Sequence, residues 1–167
     1  MVGFGNFVRA AVGVVALLIV APAAAQEQKQ PAKQTLKRLA ADKKQKLHLL
    51  VLQVNTNEPA MMNLALNNAT NVAQYYKDLG EKVTIEVVTF GPGLHMLRDD
   101  TSPVKARIKA IKESTPAISF KACGNTQENM RKVENKEIPL VPEASVVKSG
   151  VVHVMELQEQ GWSYVKP

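Results

Sequence analysis

Ile118-Ser119-Phe120-Lys121-Ala122-Cys123-Gly124-Asn125-Thr126 reads as a short buried strand that runs into a glycine turn and then a helix. Glu128 stands three positions after Asn125, the spacing of a reciprocal cap at a helix start. The chain's one cysteine, Cys123, lies at the junction. Amides at a helix start lack intrahelical partners and carry partial positive charge, so a thiol held there tends to ionise to its nucleophilic form. Two readings of Cys123 follow: a reactive thiol, or a small side chain packed at the end of a strand.

Working outward, the same alternation of strand and helix recurs. Leu47 to Val54 is a nearly continuous apolar run, as expected of a strand covered on both faces of a parallel sheet, with His48 inside it as a hydrogen-bonded core residue. It turns polar at Asn55-Thr56-Asn57-Glu58, at the end of the strand where open α/β sheets bind ligands. From Pro59 to Leu79 the period becomes helical, with Met62, Ala65, Leu66, Ala69, Val72, Ala73 and Tyr76 in one stripe. Asn63, Asn67 and Asn71 form an amide-rich face on that helix, either a solvated surface or a contact surface. Lys82 to Phe90 is a second strand, broken by Gly91-Pro92-Gly93, where backbone can approach a ligand closely. His95 and Arg98 follow, close enough in sequence to reach the mouth of the sheet.

Ser102-Pro103 predicts a helix start, with Val104, Ile108 and Ile111 facing the core. After the cysteine strand comes a helix from about Thr126 to Asn135, then a proline-bearing extended connection and a short strand at Ala144 to Val147. A last helix follows Gly150, with Val151, Val154, Met155 and Gln158 on one side, and Trp162 to Val165 closes the chain as a strand. This pattern predicts an α/β fold, a three-layer α/β/α sandwich around a mainly parallel sheet of four or five strands.

The chain has 167 residues and a net charge of +6, which permits a real core in a single domain. Residues 1–25 read as a secretory signal peptide: a short n-region with Arg9, an apolar run from Ala10 to Val20, and small residues up to a cleavage point near Ala25. A periplasmic or secreted location follows, with the membrane touched only through an uncleaved signal. Residues 26–45 read as a basic, flexible arm, and residues 46–167 as the folded domain. The arm carries no aromatics among its lysines, which argues against nucleic-acid binding. A single cysteine cannot close an internal disulfide. His48, His95 and His153 have no metal-ligand spacing, and phosphate-loop and nucleophile-elbow motifs are absent, so neither metal nor cofactor is expected.

The order of elements, the Asn-rich first helix, Val88 to Leu94, Ser102-Pro103, Ala122 to Thr126 and Gly161-Trp162-Ser163-Tyr164 together resemble an exported branch of the DsrE/DsrF-like family. The resemblance covers about Lys46 to Pro167. It implies a flavodoxin-like sandwich, a homo- or hetero-oligomer, and a sulfur-relay role in which a cysteine near the end of the third strand carries a persulfide, the position held here by Cys123. The sequence departs from the relay members in its export signal and in lacking a second thiol, so no cysteine of the same chain can resolve the persulfide. The reading is therefore a sulfur carrier with a sulfur-donor and a sulfur-acceptor protein as partners, at most sulfurtransferase-like as an enzyme. The alternative is a non-catalytic small-ligand-binding or oligomeric module. In it Gln53, Asn55, Gly91, Gly93, Gly124, Asn125 and Thr126 form a polar rim and Cys123 is incidental.

Overall fold

The computed structural model describes residues 46–167, which lie within one compact unit, Leu39–Pro167. Residues 1–45, read above as a signal peptide and a basic arm, lie outside the described residues. Five strands, β1 (Leu47–Val54), β2 (Lys82–Thr89), β3 (Ile118–Cys123), β4 (Ala144–Val147) and β5 (Ser163–Val165), form one sheet in the order β4-β3-β2-β1-β5. Every pairing within it is parallel. Four α-helices connect them: α1 (Pro59–Asp78), α2 (Lys105–Ser114), α3 (Gly124–Glu134) and α4 (Gly150–Glu159), with a 3-10 turn at Gly91–Leu97. The expected α/β sandwich is present. Its strand order differs from the 2-1-3-4-5 of flavodoxin itself; the layers and the parallel sheet are what they share.

Parallel neighbours need crossovers of one hand, so the direction of winding fixes the face on which each helix lands. From β1 to β4 the chain steps one way across the sheet, and the connections pack on one face. There Met62, Ala65, Leu66, Ala69 and Ala73 of α1, and Ile108 and Ile111 of α2, meet Leu50, Leu52, Val54, Ile85, Val87, Ile118, Phe120 and Ala122. From β4 the chain jumps back past β1 to β5, which sends α4 to the other face. That cluster is small: Val51, Val88, Val154 and Leu157, flanked by Phe90 and Trp162.

Three local expectations are corrected. Helix α2 begins at Lys105, because Ser102 turns inward: its hydroxyl donates to the Met96 carbonyl at 2.6 Å and accepts the Val104 amide at 3.3 Å. The Asn125/Glu128 cap does not form; α3 starts at Gly124 with Cys123 in the capping position, and Glu128 pairs with Arg131 and Lys132 one turn on. On α4 the buried stripe is Gly150, Val154 and Leu157, while Val151 and Met155 are exposed. That helix is apolar on both sides, so periodicity alone could not choose its inner face.

Candidate functional site

In a sheet wound this way a crevice opens where helices from adjacent strands depart to opposite faces, at the strands' C-terminal ends. Here that place lies between β3, which feeds α3, and β4, which feeds α4. Cys123 is the last residue of β3 and stands in this crevice. Strand alternation gives Ile118, Phe120 and Ala122 to the larger core and turns the Cys123 side chain toward α4. The fit is close: a Cβ on Gly150 would lie 3.1 Å from Cys123 Cβ and 2.9 Å from Phe90 Cδ1. Glycine there lets the first turn of α4 reach the sulfur.

Two helix starts thus converge on one thiol. Burial pushes the Cys123 thiol up. The Thr126 hydroxyl and the amides of Gly150, Thr126 and Asn125 pull it down, and the balance leaves it below an ordinary cysteine. No contact amounts to a formal side-chain cap, and the Asn125 amide is shared with the Lys148 carbonyl at 3.1 Å, so these groups polarise the sulfur rather than saturate it. Thr126 also accepts the Gly91 amide on Oγ1 at 3.0 Å. A hydroxyl that accepts in this way keeps its proton to donate, here toward the sulfur. The loop after β2 is thereby tied to the thiol through one threonine.

Cys123 is electrostatically prepared yet almost enclosed, the residue being 4% exposed. Surface hollows lie on either side of it: one of about 640 Å³ touches Asn125, Ser149 and His153, and one of about 390 Å³ touches Gly91, Thr126 and Met130. Cys123 lines neither. On the same face of the sheet, Glu86 accepts from His153 Nε2 at 2.6 Å and pairs with Lys121 at 3.5 Å.

The structure gathers some expected residues and separates others. Gly91, Gly124, Asn125 and Thr126 surround the Cys123 junction. Gly91 takes φ +54°, which favours glycine, and a Cβ on Gly124 would come within 3.1 Å of Val146. Gly93 is buried against β1: a Cβ there would lie 2.2 Å from the Val54 carbonyl oxygen, so this glycine serves packing. Asn55 adjoins that contact, and Gln53 is engaged at the far edge, accepting from the Tyr164 hydroxyl at 2.7 Å. Two strand spacings, about 10 Å, separate β1 from β3, so Gln53 and Asn55 do not join the cysteine in one rim.

Arg98 is neither a surface residue nor a partner of the thiol. It is 1% exposed and held by Asp100 and Glu134. His95 binds Thr101 through Nδ1 at 2.9 Å. His48 stacks on Tyr76 with ring centroids 3.6 Å apart and pairs with Glu81. Of the amide-rich face, Asn63 and Asn67 accept from Arg107 of α2. Among the described residues there is no cluster of possible metal ligands and no helix long and apolar enough to cross a membrane. What sequence reasoning missed is the role of Gly150: a helix was expected to follow it, but that its first turn reaches the Cys123 crevice depends on the return of the chain from β4 to β5.

The fold and this crevice define a parallel α/β protein with a polarised cysteine at its topological switch point. No family model matches the chain, and no curated protein does. Among solved structures it is similar to a protein of unknown function, MTH1491 from Methanobacterium thermoautotrophicum. The identity is 28%, the match covers 72% of this chain and 99% of that one, and the TM-score is 0.60.

Proposed function

We propose that this protein is an exported sulfur carrier of the DsrE/DsrF-like kind, which holds sulfane sulfur as a persulfide on Cys123. The observation that carries the reading is the convergence of the α3 and α4 starts on a single sulfur, which lowers its pKa in spite of burial. The Cys123 thiolate attacks the outer sulfur of a donor persulfide, R–S–SH. A Cys123 S–S bond forms, the donor S–S bond breaks, and R–S⁻ leaves with the electron pair, so no external oxidant or reductant is consumed. The polarising groups serve the terminal persulfide anion as they serve the thiolate. Thr126 and Gly150 position the sulfur. The lone cysteine requires a separate acceptor thiol to remove the cargo, and the carrier works between a donor and an acceptor protein as a homo-oligomer in the periplasm or outside the cell.

Incubation of the protein with a small persulfide donor is expected to add the mass of one sulfur atom, located on Cys123 by peptide mapping and missing in Cys123→Ser. A wild-type protein whose thiol alkylates but takes up no sulfur would contradict the carrier.

A further inference from the structure

Passing sulfur between thiols moves protons as well, since a thiol attacks as its thiolate and departs as one. The chain has no second cysteine, so the other titratable groups on the thiol's face of the sheet decide where those protons go. Of the three histidines, His48 stacks on Tyr76 of α1 and His95 is tied to Thr101, both beside the larger core. His153 alone shares the face of Cys123. It stands three residues after Gly150 in the first turn of α4, where its amide donates to the Ser149 carbonyl at 3.0 Å. Residues three apart on a helix lie one above the other, and Gly150 is the residue of that turn packed against Cys123.

The His153 ring is anchored at one nitrogen. Nε2 donates to Glu86 Oε2 at 2.6 Å, while Lys121, two residues before Cys123 on β3, pairs with Oε1 of the same carboxylate at 3.5 Å. An imidazole that donates from Nε2 is, when neutral, an acceptor at Nδ1. Nδ1 has no hydrogen-bond partner among the described residues. The ring also lines the hollow of about 640 Å³ that Asn125 and Ser149 border, together with Lys148 and Glu156. Asn125 belongs to the start of α3 and Ser149 caps α4, the two helix starts that meet at the sulfur. A thiol entering this hollow therefore comes against the Cys123 crevice and a free basic nitrogen together.

We propose that His153 is the proton shuttle of this site, with Nδ1 as the exchanging atom and Glu86 as its positioning residue, and that donor and acceptor thiols enter through the Asn125–Ser149–His153 hollow. This rests on Cys123 being the reacting thiol. In delivery, Nδ1 takes the proton of the acceptor R′–SH, and R′–S⁻ attacks the outer sulfur of Cys123–S–SH. R′–S–SH forms and Cys123 leaves as its thiolate. In uptake, the Cys123 thiolate takes the outer sulfur of R–S–SH, and the imidazolium returns its proton to the departing R–S⁻. The sum is R–S–SH + R′–SH → R–SH + R′–S–SH, with one proton circulating through His153 and no net oxidation or reduction.

The test loads Cys123 of the full-length protein as the mixed disulfide with 2-mercaptoethanol, which needs no sulfane sulfur, and times its release at neutral pH by two attacking thiols. One is 2-mercaptoethanol, which is protonated and needs a base; the other is thiophenol, which is largely ionised and does not. His153→Gln keeps an amide that can donate to Glu86 but has no basic nitrogen. It is expected to slow release by 2-mercaptoethanol about a hundredfold and to shift the ratio of the two rates by about that factor. Glu86→Gln, which leaves an acceptor for Nε2 and removes the charge, is expected to shift the ratio the same way by a smaller factor. An unshifted ratio in His153→Gln, whether both rates fall together or neither does, overturns the shuttle, and so does a Cys123 that cannot be loaded in the folded protein. Persulfide uptake is read separately: a shifted ratio without sulfur uptake keeps the shuttle for thiol exchange and removes the carrier, and uptake with an unshifted ratio does the reverse.

Discussion

The two faces of the sheet divide the work. The face under α1 and α2 is a continuous apolar cluster running from Leu50 to Val141. The face under α4 has four buried apolar residues and carries Glu86, Lys121, His153 and the Cys123 side chain. Dispersion and water exclusion accumulate where packing is thick, whereas polar groups stay adjustable where cover is thin. The first face holds the sheet together; the second presents a thiol to two helix starts without having to carry the stability of the fold.

Matched truncations give the largest effect by which this contrast can be broken. Leu66→Ala, at a fully buried position on the thick face, is expected to cost about 4 kcal/mol in denaturant unfolding. Leu157→Ala on the thin face is expected near the lower end of the same range, about 2 kcal/mol. A Leu157→Ala loss equal to or greater than that of Leu66→Ala would remove the distinction between the faces.

Gly150→Ala sharpens the comparison at the point where the thin face meets the site. The added methyl meets Phe90 Cδ1 at 2.9 Å and Cys123 Cβ at 3.1 Å, so about 1–3 kcal/mol of stability is expected to be lost. The same shift moves an amide away from the sulfur, so the thiol pKa is expected to rise. A thermal melt and a thiol titration check the two effects separately.

The clamp on the thick face responds to acid. The Arg98 guanidinium holds Asp100 and Glu134 below the usual carboxylate range, with Lys136 helping. Folded values below the unfolded ones mean that this stability is complete above about pH 4.3 and is lost as pH falls through the depressed values. Glu134→Gln is therefore expected to flatten the acid limb of the unfolding midpoint against pH below about 4 and to leave its neutral limb parallel to wild type.

Much of this was legible in the chain because the strands are strongly patterned. Leu47 to Val54 and Ile118 to Cys123 are apolar runs bounded by breakers, and Pro59 marks the first helical residue of α1. Cys123 stood out as a lone thiol between a strand and a glycine. The helix after Gly150 was legible too, but its approach to the thiol was not, because that depends on a chain reversal across the sheet that no local pattern encodes. Gln53 illustrates the opposite error: a polar residue at the end of a strand looked like part of a rim, and its amide is committed to Tyr164 on the terminal strand. The buried Arg98 was hidden for the same reason, since Glu134 lies 36 positions away and only folding brings it near.

The central claim is that the crevice favours the charged sulfur over the neutral thiol. Ultraviolet titration of the thiolate, taken as wild type minus Cys123→Ser, reads this directly and needs no reagent to reach the sulfur. The account predicts a midpoint below the roughly 8.5 of a free cysteine, with stability relative to Cys123→Ser rising with pH between that midpoint and about 8.5. A midpoint at or above the free value would mean that burial outweighs the two helix starts, and would contradict it.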